Sequence, residues 1–366
     1  MAVRLLNNHA VQKQRKVLVA MSCSPVKFRP IFKERIWGSD RLKRLYGKEL
    51  PADAVIGESW ELADLPDDKS VVANGLWSGM NVRQLLSEHG QELGFTQEQC
   101  EFPFGLLIKF LDANNVLSVQ VHPDGQACRK FSEAQLKTEC WYVLEAQSDS
   151  VIYRGLKPDV SREKLQQALT DGNVEGLMEK YPAKKGDFHF LPAGTIHALG
   201  AGVVVAEIQT PSDTTYRLYD WNRLDSQGRS RQLHIEQALE SIHYTCPGCT
   251  PPTGDKTHSL PDDTARILKE IANKLGSAKL LVDCPYFSVV HLAMDENTTR
   301  QFSSNIPFVM IALSGSGIVR NNGDPESDCQ YNAGDTILIP ATAKGCLDVR
   351  QSGQFLLTGL GPVKVK

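Results

Sequence analysis

Apolar residues in this chain come mostly in short runs of strand length, separated by Gly, Pro, Asn and Asp turns. Such a pattern predicts many short β-strands rather than long helices. The run over residues 28–37 is apolar and aromatic and ends in a Trp-Gly-Ser-Asp turn. Strands are expected over 58–63, before the Pro66-Asp67-Asp68 turn, and over 104–111, where Lys109 interrupts the apolar run. Residues 116–122 alternate with period two, which puts Gln120 and His122 on one face and Val119 and Val121 on the other. Further short strands are expected over 141–144, 151–153, 187–191, 202–209 and 215–219.

Helical spacing is confined to a few places. Val82, Leu85 and Leu86 follow Asn81, a natural N-cap. Residues 161–180 read as an insertion of two short helices around Asp171-Gly172. Residues 246–264, rich in Pro, Gly and polar residues, read as a linker, and a short helix over 267–275 follows it. Strands resume at 287–294, 308–313, 317–320, 336–339 and 355–359. Gly186-Asp187 through Pro192-Ala193 matches Gly334-Asp335 through Pro340-Ala341, which suggests two copies of one β-barrel unit. In that match His197 meets Gly345, and a separate pairing of Tyr-Val-Leu-Glu-Ala (142–146) with Ile-Ala-Leu-Ser-Gly (311–315) sets Glu139 against Phe308, so the second copy lacks the polar set of the first. The expected architecture is a mainly β sandwich or barrel.

At 366 residues the chain exceeds one ordinary core. The expected division is a leader over 1–27, a first domain over 28–245, the linker, and a second domain over 265–366. A net charge of −3 gives no general pull toward nucleic acid or anionic membrane. No apolar run approaches the ~20 residues that cross a bilayer. Nine cysteines, an odd number scattered along the chain, point to free thiols in a reducing compartment. The one CxxC, Cys246 to Cys249, offers too few ligands for a zinc site and reads as two loop cysteines. Residues 1–27 are basic and acid-free, and read as a disordered tail, with Met21 as an alternative start, rather than a transit peptide.

Two histidines and a carboxylate with a weaker fourth ligand suit a catalytic zinc or a non-haem iron. His122, Glu139 and His197, with Gln120, are the candidate set; each alone also reads as an ordinary turn or strand-end residue. Lys109 in an apolar strand needs a partner. Lys137 stands two residues before Glu139, and Arg217 lies between Tyr216 and Tyr219. Cations beside a metal suit an anionic substrate. Glu207, in an apolar run, and Asp213, in a polar turn, are candidate acid-base groups, or plain structural partners of those cations.

These residues lie in LIKFLDANNVLSVQVHPD, KTECWYVLEA, GDFHFLPAGTIHALGAG and EIQTPSDTTYRLYDWNR. The four segments closely resemble the compact bacterial, zinc-dependent mannose-6-phosphate isomerases, over residues 28–244. The resemblance implies two cupin (jelly-roll) domains, a helical insertion in the first, and interconversion of mannose 6-phosphate and fructose 6-phosphate through a cis-enediol(ate). It implies one Zn2+ per chain on Gln120, His122, Glu139 and His197. It places Arg217, Lys137, Asp213 and Glu207 in catalysis, and Lys109, Ser118, Trp37 and Glu58 along the substrate pocket. A monomer or weak homodimer in the cytoplasm, acting on a small sugar phosphate, is the matching expectation. Leu199 departs from the longer relatives, which carry a tyrosine just after the histidine-alanine pair. The competing readings are an iron-dependent cupin oxygenase on the same ligands and a non-catalytic sugar-phosphate-binding cupin.

Overall fold

The computed structural model describes residues 24–224, 227–244, 263–321, 327–341 and 343–361. It is mainly β and divides into two compact units. Among the described residues one unit holds 30–65 and 106–244, and the other holds 24–29, 66–105 and 263–361. The expected contiguous domain over 28–245 therefore differs from these units, because segment 66–105 groups with the C-terminal residues. Strand pairing accounts for this. Val26–Arg29 pairs with Thr336–Ile339 on one side and Val71–Val72 on the other. No local pattern reveals a ladder between segments so far apart in sequence. The CxxC and most of the expected linker lie outside the described residues, as does the leader up to residue 23.

The unit containing 106–244 has two antiparallel sheets. The first runs in the order Phe188–Leu191, Glu139–Ala146, Val203–Gln209, Leu107–Ala113, Ile56–Leu62, Ile31–Glu34. The second runs in the order Tyr216–Tyr219, Val119–Val121, His197–Leu199, Val151–Leu156, Met178–Pro182. One buried cluster draws Trp141, Val143, Leu111 and Val205 from the first sheet and Ile152 and Leu199 from the second, so these inner faces pack together. Trp37 and Leu117 join it. A second cluster covers the outer face of the smaller sheet, joining Val119, Val121 and Tyr153 to Leu165 and Leu239 of flanking helices. Burial on both faces explains why these strands read as near-continuous apolar runs.

The insertion is half helical. Arg162–Asp171 is an α-helix whose N-cap Ser161 accepts from Lys164 N, and Gly172 closes it at φ +68°. The expected second helix is a single 3-10 turn, Val174–Leu177. Met178–Pro182 then extends and pairs with Val151–Leu156. The free edge of that strand outweighed the helical spacing, since ladder bonds satisfy backbone groups that a marginal helix would leave frayed.

The other unit carries a nine-stranded sheet packed on the helix Thr264–Leu275. Leu268, Ile271, Ala272 and Leu275 of that helix bury against Val290, Phe308, Met310 and Phe355. The expected helix near 81–90 spans Val82–His89, with Asn81 and Gln84 forming a reciprocal capping box.

The internal echo is also a structural one. Gly186 and Gly334 have φ of +92° and +90°. Asp187 Oδ2 accepts from Lys184 N, and Asp335 Oδ2 accepts from Asn332 N, each at 2.8 Å. Gly186 N donates to Val143 O as Gly334 N does to Ala312 O. The same turn thus closes against the same strand position in each unit.

Candidate metal centre and its surroundings

His122, Glu139 and His197 each present a ligand atom, all within 4.8 Å of one another, and all three residues are buried. The strand alternation sets this up. Gln120 ends up opposite His197 in the smaller sheet, with Arg217 on its other side. Glu139 opens the strand opposite Leu191 and Gln209 in the larger sheet. The turn before His197 depends on Gly194, at φ +87°, whose N–H donates to His122 O at 2.9 Å. A Cβ on Gly194 would come within 2.6 Å of the His243 ring.

Both imidazoles are oriented by backbone carbonyls. His122 Nδ1 donates to Thr214 O at 3.1 Å, and His197 Nδ1 donates to Thr195 O at 2.8 Å. A carbonyl only accepts, so each Nδ1 carries the proton and each Nε2 presents a lone pair. His122 Nε2 lies 3.1 Å from Glu139 Oε2, and His197 Nε2 lies 3.3 Å from Glu139 Oε1. These distances suit ion pairs, yet His122 Nε2 and both Glu139 oxygens lack a hydrogen-bond partner. Proximity without a shared proton resolves the difference: lone pairs face a carboxylate, an arrangement that is repulsive unless a cation lies among them. Burial, with the Lys137 charge, pushes His122 down to about 3, so it is neutral near pH 7. Burial alone would push Glu139 up, but the adjacent Lys137 charge holds it well below the usual carboxylate range. Two imidazoles and a carboxylate are the donor set of a divalent transition metal. Gln120 Nε2 stands 3.3 Å from His197 Nε2, at the edge of the group.

Cations and carboxylates surround this set. Lys137 Nζ is 3.3 Å from Glu139 Oε2. Lys109 Nζ lies 3.5 Å from Glu207, 3.8 Å from Asp213 and 3.9 Å from Glu58, and 4.8 Å over the Trp60 ring. The partner that sequence reasoning demanded for Lys109 is thus three carboxylates. Glu207 also accepts from Trp141 Nε1 at 2.8 Å, and Glu58 accepts from Trp60 Nε1 at 2.6 Å and Arg35 Nε at 2.7 Å. Burial opposes charge on Lys109, but its carboxylates win and push it up. Burial also opposes charge on Glu58, and there Lys109 and Arg35 win, so its pKa falls. Glu207 goes the other way: burial and the nearby Glu139 charge outweigh its share of Lys109 and push it up. Asp213 is more open, its side chain 55% exposed.

Arg217 pairs with none of the acids considered from sequence. Its Nε donates to Ser118 Oγ at 3.3 Å and its Nη1 to Gln232 O at 2.9 Å. Burial, then the charge of Arg231, push it down. Trp37 lies in the apolar cluster with Trp141 and Leu199. Arg35, the ion-pair partner of Glu58, went unnoticed in the sequence; its place two residues before Trp37 was the only signal.

The fold and this donor set are those of a cupin-type protein with a candidate metal site. A family model described as "Phosphomannose isomerase type I, catalytic domain" matches residues 26–142. The mannose-6-phosphate isomerase of Streptococcus mutans is 34% identical over 314 residues, covering 85% of this chain and 90% of that protein. Mannose-6-phosphate isomerase ManA of Bacillus subtilis is 34% identical over 322 residues, covering 87% and 94%. The crystal structure of the mannose 6-phosphate isomerase from Bacillus subtilis superposes with a TM-score of 0.78 at 29% identity, covering 92% of this chain and 99% of that one. The chain belongs to the type I mannose-6-phosphate isomerase family.

Proposed function

We propose that this chain interconverts mannose 6-phosphate and fructose 6-phosphate with one zinc ion held by His122, Glu139 and His197, and Gln120 as a fourth neighbour. The observation that carries this reading is the convergence of two histidine nitrogens and a carboxylate in a buried group ringed by lysines and carboxylates. When bound, the ion supplies Lewis-acid polarisation of substrate oxygens.

The remaining roles fall to the chain itself. Aldose–ketose isomerisation moves a proton from C2 to C1 of the open-chain sugar and generates negative charge on oxygen in between. Glu207, buried and pushed toward the protonated form, is the carboxylate best matched to taking that proton and returning it. Asp213, more exposed, flanks the same lysine. Lys137 and Lys109 provide fixed positive charge for the developing oxyanion. Arg217, oriented by Ser118 and Gln232 O, faces the phosphate. Glu58 and Trp37 shape the pocket wall. The iron-oxygenase reading leaves this ring of lysines and carboxylates without a task, and the pure-binder reading leaves the raised carboxylate of Glu207 without one.

No described helix is long and apolar enough to cross a membrane. We take the protein to act in the cytoplasm as a monomer or weak homodimer.

The test is to strip the metal with a chelator, assay conversion of mannose 6-phosphate, and reconstitute with zinc or iron. Activity should vanish and return with zinc. Activity that survives full metal removal overturns the mechanism, and oxygen consumption restored by iron alone makes the chain an oxygenase.

A further inference from the structure

A second polar group lies on the inner face of the same unit and has no part in the chemistry above. Arg154 stands directly opposite His197 in the smaller sheet, so it faces the barrel interior as His197 does. Tyr181 is opposite Ile152, a member of the inner apolar cluster. His189 is opposite Trp141 in the larger sheet, two residues from Leu191 of that cluster. The Arg154 guanidinium lies over the Tyr181 ring, 4.6 Å from its centroid, and the Tyr181 and His189 rings are 6.2 Å apart. The three side chains thus bring the two sheets together at the side where Tyr181 and His189 follow each other in the chain.

Three buried polar atoms of this group are unspent. Arg154 is 8% exposed and His189 is 6% exposed. Arg154 Nε and both ring nitrogens of His189 are buried without a hydrogen-bond partner. Among the described residues no carboxylate lies within ion-pairing distance of Arg154, whose guanidinium instead stacks on the Tyr181 ring. This contrasts with Arg41, equally buried, which is paired with Asp112 at 2.7 Å. A guanidinium in apolar surroundings with no counter-charge is costly. The cost disappears when an anion enters. A planar fork of donors, with an imidazole N–H beside it, suits oxygens of a carboxylate or phosphate.

We propose that Arg154, His189 and Tyr181 form a binding site for one small oxyanion, separate from the residues assigned to substrate phosphate. The ligand class is a carboxylate or phosphate group, donated to by Arg154 and by one His189 nitrogen. Neither the metal nor turnover is needed for it to bind.

The experiment uses the full chain, metal-loaded, in the Arg217→Ala background, so that phosphate contacts at Arg217 do not contribute. Inorganic phosphate and acetate are titrated separately by calorimetry; the arm that saturates identifies the source. The site predicts saturable binding of at least one probe. It also predicts at least ~10-fold weaker binding in Arg154→Gln, the loss expected for a charge-assisted hydrogen bond. His189→Phe should weaken binding in the same direction. If Arg154→Gln does not fold, the His189→Phe, Tyr181→Phe double variant carries the same comparison. Absence of saturable binding by either probe, or binding weakened less than ~10-fold in the variant, overturns the proposal.

Discussion

Lys109 Nζ stands 3.5 Å from Glu207 Oε1, its direct cross-strand partner, with both side chains buried. The two do not stabilise each other symmetrically. Lys109 shares its charge among Glu207, Glu58 and Asp213 and is held cationic, while Glu207 is pushed up by burial and by Glu139. A carboxylate of raised pKa beside a fixed cation is what a proton carrier needs. Glu207→Gln should therefore lower kcat at least ~10²-fold while metal content stays at one ion per chain. Steady-state kinetics with metal analysis checks this; an unchanged kcat shifts the proton transfer to Asp213.

Lys109→Met should cost stability as well as activity. It removes a counter-charge from buried Glu207 and leaves Glu58 with Arg35, and breaking a buried pair on one side costs about 3–5 kcal/mol. Urea unfolding of the metal-loaded protein measures the loss. A change within ordinary surface-mutation range would mean that water, not Lys109, compensates those carboxylates.

His122→Ala and His197→Ala should each abolish stoichiometric metal binding. Each removes one of three converging donors, and the carbonyls of Thr214 and Thr195 then lose the imidazoles they orient. Far-UV circular dichroism should be retained, because the ladders of both sheets remain. Full metal occupancy in either variant would remove that histidine from the ligand set.

Arg217→Ala should lower kcat/KM at least ~10²-fold, if one lost charge-assisted contact is worth ~3 kcal/mol in the transition state. Its guanidinium is already oriented by Ser118 and Gln232 O, so little ordering is left for substrate to drive. A change below ~3-fold, about 0.6 kcal/mol, would exclude Arg217 from the site.

His189 gives the fold a pH dependence of known sign. Burial, then the Arg154 charge, push it from 6.5 down to about 4. The folded protein thus holds this proton less tightly than the unfolded chain. Its contribution is full above about pH 6.5 and is lost as pH falls toward 4, by up to about 3 kcal/mol. Urea unfolding across this range, on metal-free parent and His189→Phe in anion-poor buffer, should show a steeper loss for the parent. Equal slopes would mean that His189 holds its proton equally well folded and unfolded.

Much of this was legible in the chain. Gln120 and His122 share a face because strands alternate, and Glu139 opens a strand, so these placements followed from pattern, while their grouping with His197 came from the resemblance. The Asn81 cap and the Gly186 and Gly334 turns were equally local, since each depends on a few neighbouring residues. The second helix of the insertion failed because an open strand edge captured Met178–Pro182.

Local pattern and long motifs determined the mainly β class, the family and the list of polar residues. Tertiary structure alone decided their company. That, among the described residues, Lys109 meets three carboxylates, Arg217 pairs with none, Arg35 holds Glu58 and Arg154 stacks on Tyr181 all depends on sheet register between distant segments. So does the grouping of Val26–Arg29 with the C-terminal strands. The physical reason is that side-chain identity and period are local properties, whereas the charge balance of a buried group is set by whatever the fold packs against it.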